Sequence, residues 1–89
     1  MALEPGYSAV ANEQLDGVLA SGNNDLHDDL VETYEGILDD PGGARTRSSA
    51  VVTEDRGIVF CYAVPRRGPY KVFWSGDGPI IKTVFPYPT

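Results

Sequence analysis

Eighty-nine residues with 42% apolar content are enough for one hydrophobic core and no second, so the expectation is a single folded domain spanning residues 1–89 and not a disordered chain. No apolar run approaches the roughly 20 residues that cross a bilayer, and the opening MALEPGYSAV has neither the basic nor the apolar segment of a secretory signal. One Cys and one His rule out an internal disulfide and a Cys/His zinc site, so the chain reads as cytoplasmic, without metal or cofactor, with Cys61 a small filler in an apolar alternation.

The net charge of −6 averages over a reversal of sign. Residues 1–44 carry ten acids and no Lys or Arg, whereas residues 45–89 carry seven bases against three acids. The halves therefore hold −10 and +4. Acids on a solvated helical face account for the first half; the reversal in the second points to a separate surface with a different partner.

In chain order, GYSAV (residues 6–10) alternates as a short strand. Asn12 then offers a helix cap, Leu15, Val18 and Leu19 follow at helical spacing, and Gly22 supplies a left-handed stop. Asn24 caps a second helix with the apolar stripe Leu26, Leu30, Tyr34, Ile37 and Leu38, and Asp28, Asp29, Glu32 and Glu35 turn to solvent. Asp39–Pro41 ends it, because proline disfavours a helical residue before it. The two helices form a hairpin joined by SGNN. PGGARTRSS (residues 41–49) reads as a loop.

The apolar period then changes to two. AVVT ends at the turn EDRG; IVFCYAV follows with Ile58, Phe60, Tyr62 and Val64 on one face and Val59, Cys61 and Ala63 on the other. PRRGP is a turn, YKVFWS a strand, GDG a turn and PIIKTVF the last strand. The fold class is α+β: a small antiparallel β-meander backed on one face by the N-terminal helical hairpin, with Leu30, Tyr34, Ile37, Phe60 and Tyr62 in the core.

Familiar chemistry is sparse. His27 lies on the acidic helix with no partner at ligand spacing, GDGP lacks the lysine and helix of a phosphate loop, and Ser48 and Ser49 have no histidine nearby in sequence. The bases are the distinctive feature: Arg45 and Arg47 before the first long strand, Arg66 and Arg67 in a turn, Lys71 and Lys82 on strands. A sheet with bases beside aromatics is one way to hold phosphates and stack nucleobases, although Tyr70, Phe73 and Trp74 are more often core. These six are the candidate residues for a nucleic acid or an acidic protein segment.

The order of strand, helical hairpin, ILDDP, and a meander opening on GIVFCYAV and closing on YKVFWSGDGPIIKTVF resembles the RelE/ParE superfamily of bacterial toxins. The likeness rests on the helix ending in an acidic pair and Pro41, and on Gly57 leading into the strand of Tyr62 and Val64. It spans nearly the whole chain. It implies a toxin-like component of a type II toxin–antitoxin module that inhibits translation or DNA gyrase when free and is neutralised by a cognate antitoxin. In the ribosome-dependent ribonucleases of that family an arginine stands two positions after the turn glycine, where this chain has Val59. Their C-terminal tyrosine has Tyr87 as its counterpart, and Arg56 supplies a neighbouring charge. Weak or absent ribonuclease activity is expected on that comparison. The alternative is a non-catalytic interaction domain that kept the fold after losing a nuclease site.

Overall fold

A computed structural model of the chain describes residues 6–53, 57–76 and 79–86. In order these form α1 (Ala9–Ala20), α2 (Asn24–Asp39), α3 (Pro41–Arg47), β1 (Ser49–Thr53), β2 (Gly57–Ala63), β3 (Lys71–Ser75) and β4 (Ile80–Phe85). The strands make one antiparallel sheet in the order β1-β2-β3-β4, the expected meander, and the helices pack against it.

The helix starts differ from the sequence expectation by short-range chemistry. Ser8, in extended conformation, accepts a hydrogen bond from the Ala11 amide at 3.0 Å, so α1 begins at Ala9 and Asn12 lies inside it. What remains of the expected strand at residues 6–10 is a single parallel bridge from Tyr7 to Ile81. Asn23, not Asn24, caps α2 by accepting from the Leu26 amide at 3.3 Å. Gly22, at φ +81, makes the left-handed stop after α1.

The loop expected at residues 41–49 is mostly α3. Pro41 occupies the first turn, where its missing N–H costs nothing, and the Asp40 carboxylate accepts from the Gly43 amide at 3.2 Å. A Cβ on residue 43 would meet that exposed carboxylate, which would have to turn aside. Arg45 and Arg47 fall in the last turn, where positive charge suits the helix dipole. Buried Ala44 ties the helix to the core.

Strand register sorts the side chains. Cross-strand partners put Phe60 and Tyr62 of β2, Val72 and Trp74 of β3, and Val84 and Ile81 of β4 on the helix side. Trp74, Val72, Ile81 and Val84 are fully buried in one cluster with Ala11, Val18, Leu30, Tyr34 and Ile37. Phe60 and Tyr62 share that face but are only partly buried, at the margin of the core. The helical layer lies over the β3–β4 half; beyond it Ile58 is 57% exposed and its cross-strand neighbour Val52 79%. The face assignment holds, and its coverage ends short of β1.

The two sheet edges are treated differently. Along β4, Ile81 exchanges backbone bonds with Gly6 and Ser8, and the Ser8 hydroxyl donates to the Lys82 carbonyl at 2.6 Å. The buried amide of Gln14 completes the edge: its Nε2 donates to the Val84 carbonyl and its Oε1 accepts from the Val84 amide, each at 3.0 Å. One side chain thus replaces a strand for one residue. The second edge of β1 has no backbone partner among the described residues.

Tyr34 carries a testable cost. Its ring meets Tyr7 edge-on at 5.3 Å, while its hydroxyl is buried with no hydrogen-bond partner among the described residues. Tyr34→Phe should raise stability by about 1–2 kcal/mol at neutral pH, since an unsatisfied buried hydroxyl carries its full desolvation penalty. Burial also pushes the phenol well above the usual tyrosine range. Above about pH 10 the unfolded chain ionises this group and the folded chain does not, so its contribution is intact at lower pH and lost as pH rises, at up to about 1.4 kcal/mol per pH unit. Urea unfolding at pH 7 and at about pH 11 checks both: the variant should be more stable and less alkali-sensitive, and equal curves would show the hydroxyl to be satisfied.

Candidate interaction site

The sheet face away from the helical layer is a candidate surface. Register places Val51, Val59, Cys61, Phe73, Thr83 and Phe85 on it; Val59 is buried there, and Thr83 reaches Gln14 of α1 at the β4 edge. Phe73 and Phe85 form an edge-to-face pair at 5.9 Å, with Phe85 48% exposed. Val59, where the family resemblance would put an arginine, is 6% exposed and contributes apolar surface only. Every Asp and Glu among the described residues lies on α1, on α2 or at Asp40. The expected separation of charge is therefore present as an acidic helical layer and an acid-free sheet among those residues.

The six candidate bases do not form one patch. Arg45 lies on the helix side, its guanidinium carbon 5.6 Å from the Phe60 ring centroid. Arg47 is exposed at the end of α3. Arg67, expected to be free at the hairpin tip, is half-buried, and its Nε donates to the Asp29 carboxylate at 2.6 Å. That bond ties the β2–β3 turn to α2, so Arg67 has a structural role that the sequence expectation did not include. Arg66 sits beside it at φ +62 and is exposed. Lys71 opens β3 on the uncovered face, and Lys82 is the extra residue where the β3–β4 register shifts. Tyr87 and Arg56, the expected catalytic candidates, lie outside the described residues.

A cleft of about 240 Å³ runs between α2 and the β2–β3 turn, lined among others by Asp29, Glu32, Thr33, Tyr62 and Arg66. Arg66 therefore faces carboxylates of its own chain as well as solvent. The cleft pairs no nucleophile with a base: its hydroxyls are those of Thr33 and Tyr62, and His27 on the same helix sits 3.7 Å from Asp28, an ion pair only when protonated. No group of His, Cys, Asp and Glu that would hold a metal ion occurs among the described residues, and no helix there is long and apolar enough to cross a membrane. The arrangement suits binding: a largely apolar sheet face that carries Lys71, with Arg66 and Arg47 exposed elsewhere on the fold.

Two features were not found by sequence reasoning. Gln14 gave no signal beyond its place between Leu15 and Glu13 on α1, because its role depends on a strand 70 residues away. The Arg67–Asp29 tie spans 38 residues and has the same cause. No protein-family model, curated protein or solved structure matches the chain.

Proposed function

We propose that the chain is a toxin-like component of a bacterial type II toxin–antitoxin module, acting in the cytoplasm, with a cognate antitoxin that silences it by covering the uncovered sheet face. The observation that carries this reading is the one-sided packing of the sheet: a largely apolar face that carries Lys71 and no acid among the described residues, opposite an acidic helical layer. The order of helical hairpin and meander, shared with the RelE/ParE toxins it resembles, supports it. An acidic, partly apolar antitoxin segment fits such a face better than bare nucleic acid, because Phe73 and Phe85 offer apolar contact and the face has few charges. The free protein would act on translation or on DNA gyrase.

The experiment is inducible expression alone and with the neighbouring gene product. Growth arrest that co-expression relieves, with the two proteins co-purifying, is the expected result; unimpaired growth together with no co-purified partner overturns the reading. Arg66→Glu combined with Lys71→Glu should weaken antitoxin binding several-fold at low salt and less at high salt, since exposed charges act weakly, collectively and through a screened field. Arg67 is left intact in that variant because its bond to Asp29 holds the turn.

The second reading, a non-catalytic interaction domain, is favoured by Val59: its buried, apolar side chain occupies the position where the family's nucleases place a cation. Purified protein added to ribosome-bound messenger should therefore give weak or no cleavage. Efficient codon-dependent cleavage that Tyr87→Phe abolishes would contradict this.

A further inference from the structure

We infer that β1 is a self-association edge, at which two copies of this chain pair antiparallel about Val51 and join their four-stranded sheets. The inference is independent of the proposed toxin function and of the uncovered sheet face.

Three observations carry it. The first is the contrast between edges. β4 is closed by Gly6, Ser8 and Gln14, whereas β1 has an unpaired second edge among the described residues and lacks three of the devices that usually block one. It contains no Lys and no Pro, and its register with β2 runs without a bulge.

The second is apolar exposure concentrated on this strand. Val52 and its cross-strand neighbour Ile58 are 79% and 57% exposed on the helix side, and Val51 is 39% exposed on the other. An edge apolar on both faces fits the edge of another sheet, where both faces continue, and not a ligand that lies on one face.

The third observation selects the occupant. The strand reads Ser-Ala-Val-Val-Thr, small polar residues at both ends and apolar ones between, so it is close to its own reverse. Antiparallel pairing about Val51 sets Ser49 opposite Thr53, Ala50 opposite Val52 and Val51 opposite Val51, like chemistry meeting like at every position. A two-fold contact of this kind needs no other component.

Sedimentation equilibrium of the purified chain from about 1 µM to about 1 mM is the test. A short edge contact belongs at the weak end of protein interfaces, so dimer at twice the 9.6 kDa chain mass should dominate above about 100 µM. Val51→Lys and Val51→Glu each place like charges opposite one another at the two-fold axis and should weaken dimerisation by at least about ten-fold. Circular dichroism confirms that each variant is folded. An equimolar mixture of the two variants should recover dimer, because Lys then faces Glu. A parent chain that stays monomeric to about 1 mM overturns the inference and leaves the edge to a different protein. Folded variants that dimerise as well as the parent, or a mixture no better than either variant alone, overturn it equally.

Discussion

Trp74→Ala should lower stability by about 3–5 kcal/mol, the largest loss expected from any single sheet substitution. The indole is fully buried at the middle of β3, 5.0 Å from the Phe60 ring, and its Nε1–H donates to the Ser48 hydroxyl at 3.1 Å. It thus joins the sheet to the C-cap of α3, a helix that packs against β2. Truncation removes an apolar volume that four surrounding elements cannot collapse to fill, and it frees Ser48 from its donor. Trp74→Phe keeps most of the packing and should cost about 1–2 kcal/mol. Phe60→Ala, at the partly buried margin, should fall clearly below Trp74→Ala. Because Trp74 is the chain's one tryptophan, denaturation is followed by circular dichroism. Against a typical total of about 5–15 kcal/mol, the alanine variant would be largely unfolded at modest urea. A loss near 1 kcal/mol, or equal losses for Trp74→Ala and Phe60→Ala, would mean the core is centred elsewhere.

How much of this was readable in the sequence depends on the range of the interaction involved. The α2 stripe of Leu26, Leu30, Tyr34 and Ile37 and the alternation of β2 through Tyr62 are periodic over whole elements, and both sit as their periods required. The meander order follows from short polar turns between such runs. The helix caps at Ser8 and Asn23 were displaced because several polar residues stand near each start and only backbone geometry chooses among them. The third helix was hidden by composition: Pro41, Gly42 and Gly43 signal a loop, yet proline suits a first turn and Asp40 caps the helix by accepting from the Gly43 amide.

For the candidate site, the reversal of charge between halves was readable and becomes a separation of layers in space. The fate of individual cations was not. Arg67 is tied to Asp29, and Arg45, though exposed, lies over the Phe60 ring; neither partner is near in sequence. Arg66, Lys71 and Arg47 retain exposed charge. Uncovered coverage was also invisible, since the period that assigns Ile58 to the core face cannot say where the helical layer ends.

Gln14→Leu should cost about 2–4 kcal/mol despite adding an apolar side chain to a buried site. The glutamine amide is what satisfies the outward N–H and C=O of Val84, and Thr83 donates to the same oxygen at 3.3 Å. Leucine leaves the Val84 amide and carbonyl buried without partners, and each such group costs about 1–3 kcal/mol, which exceeds the gain from the methyl groups. The decisive comparison is Gln14→Glu, nearly the same shape. At neutral pH its carboxylate can accept from the Val84 amide but cannot donate to the carbonyl, and burial disfavours the charge. Its folded-state pKa is therefore raised above the usual value of about 4.3. A raised carboxyl pKa makes its contribution present at low pH and lost as pH rises through and above that value, so the difference between Gln14→Glu and the parent should shrink between about pH 7 and about pH 4. Gln14→Leu has no proton to gain and should show no such recovery relative to the parent. Urea midpoints for the three chains at both pH values decide the matter. Parallel losses for Glu and Leu at the two pH values would mean that Gln14 fills space, and that the β4 edge is closed by Gly6 and Ser8 without it.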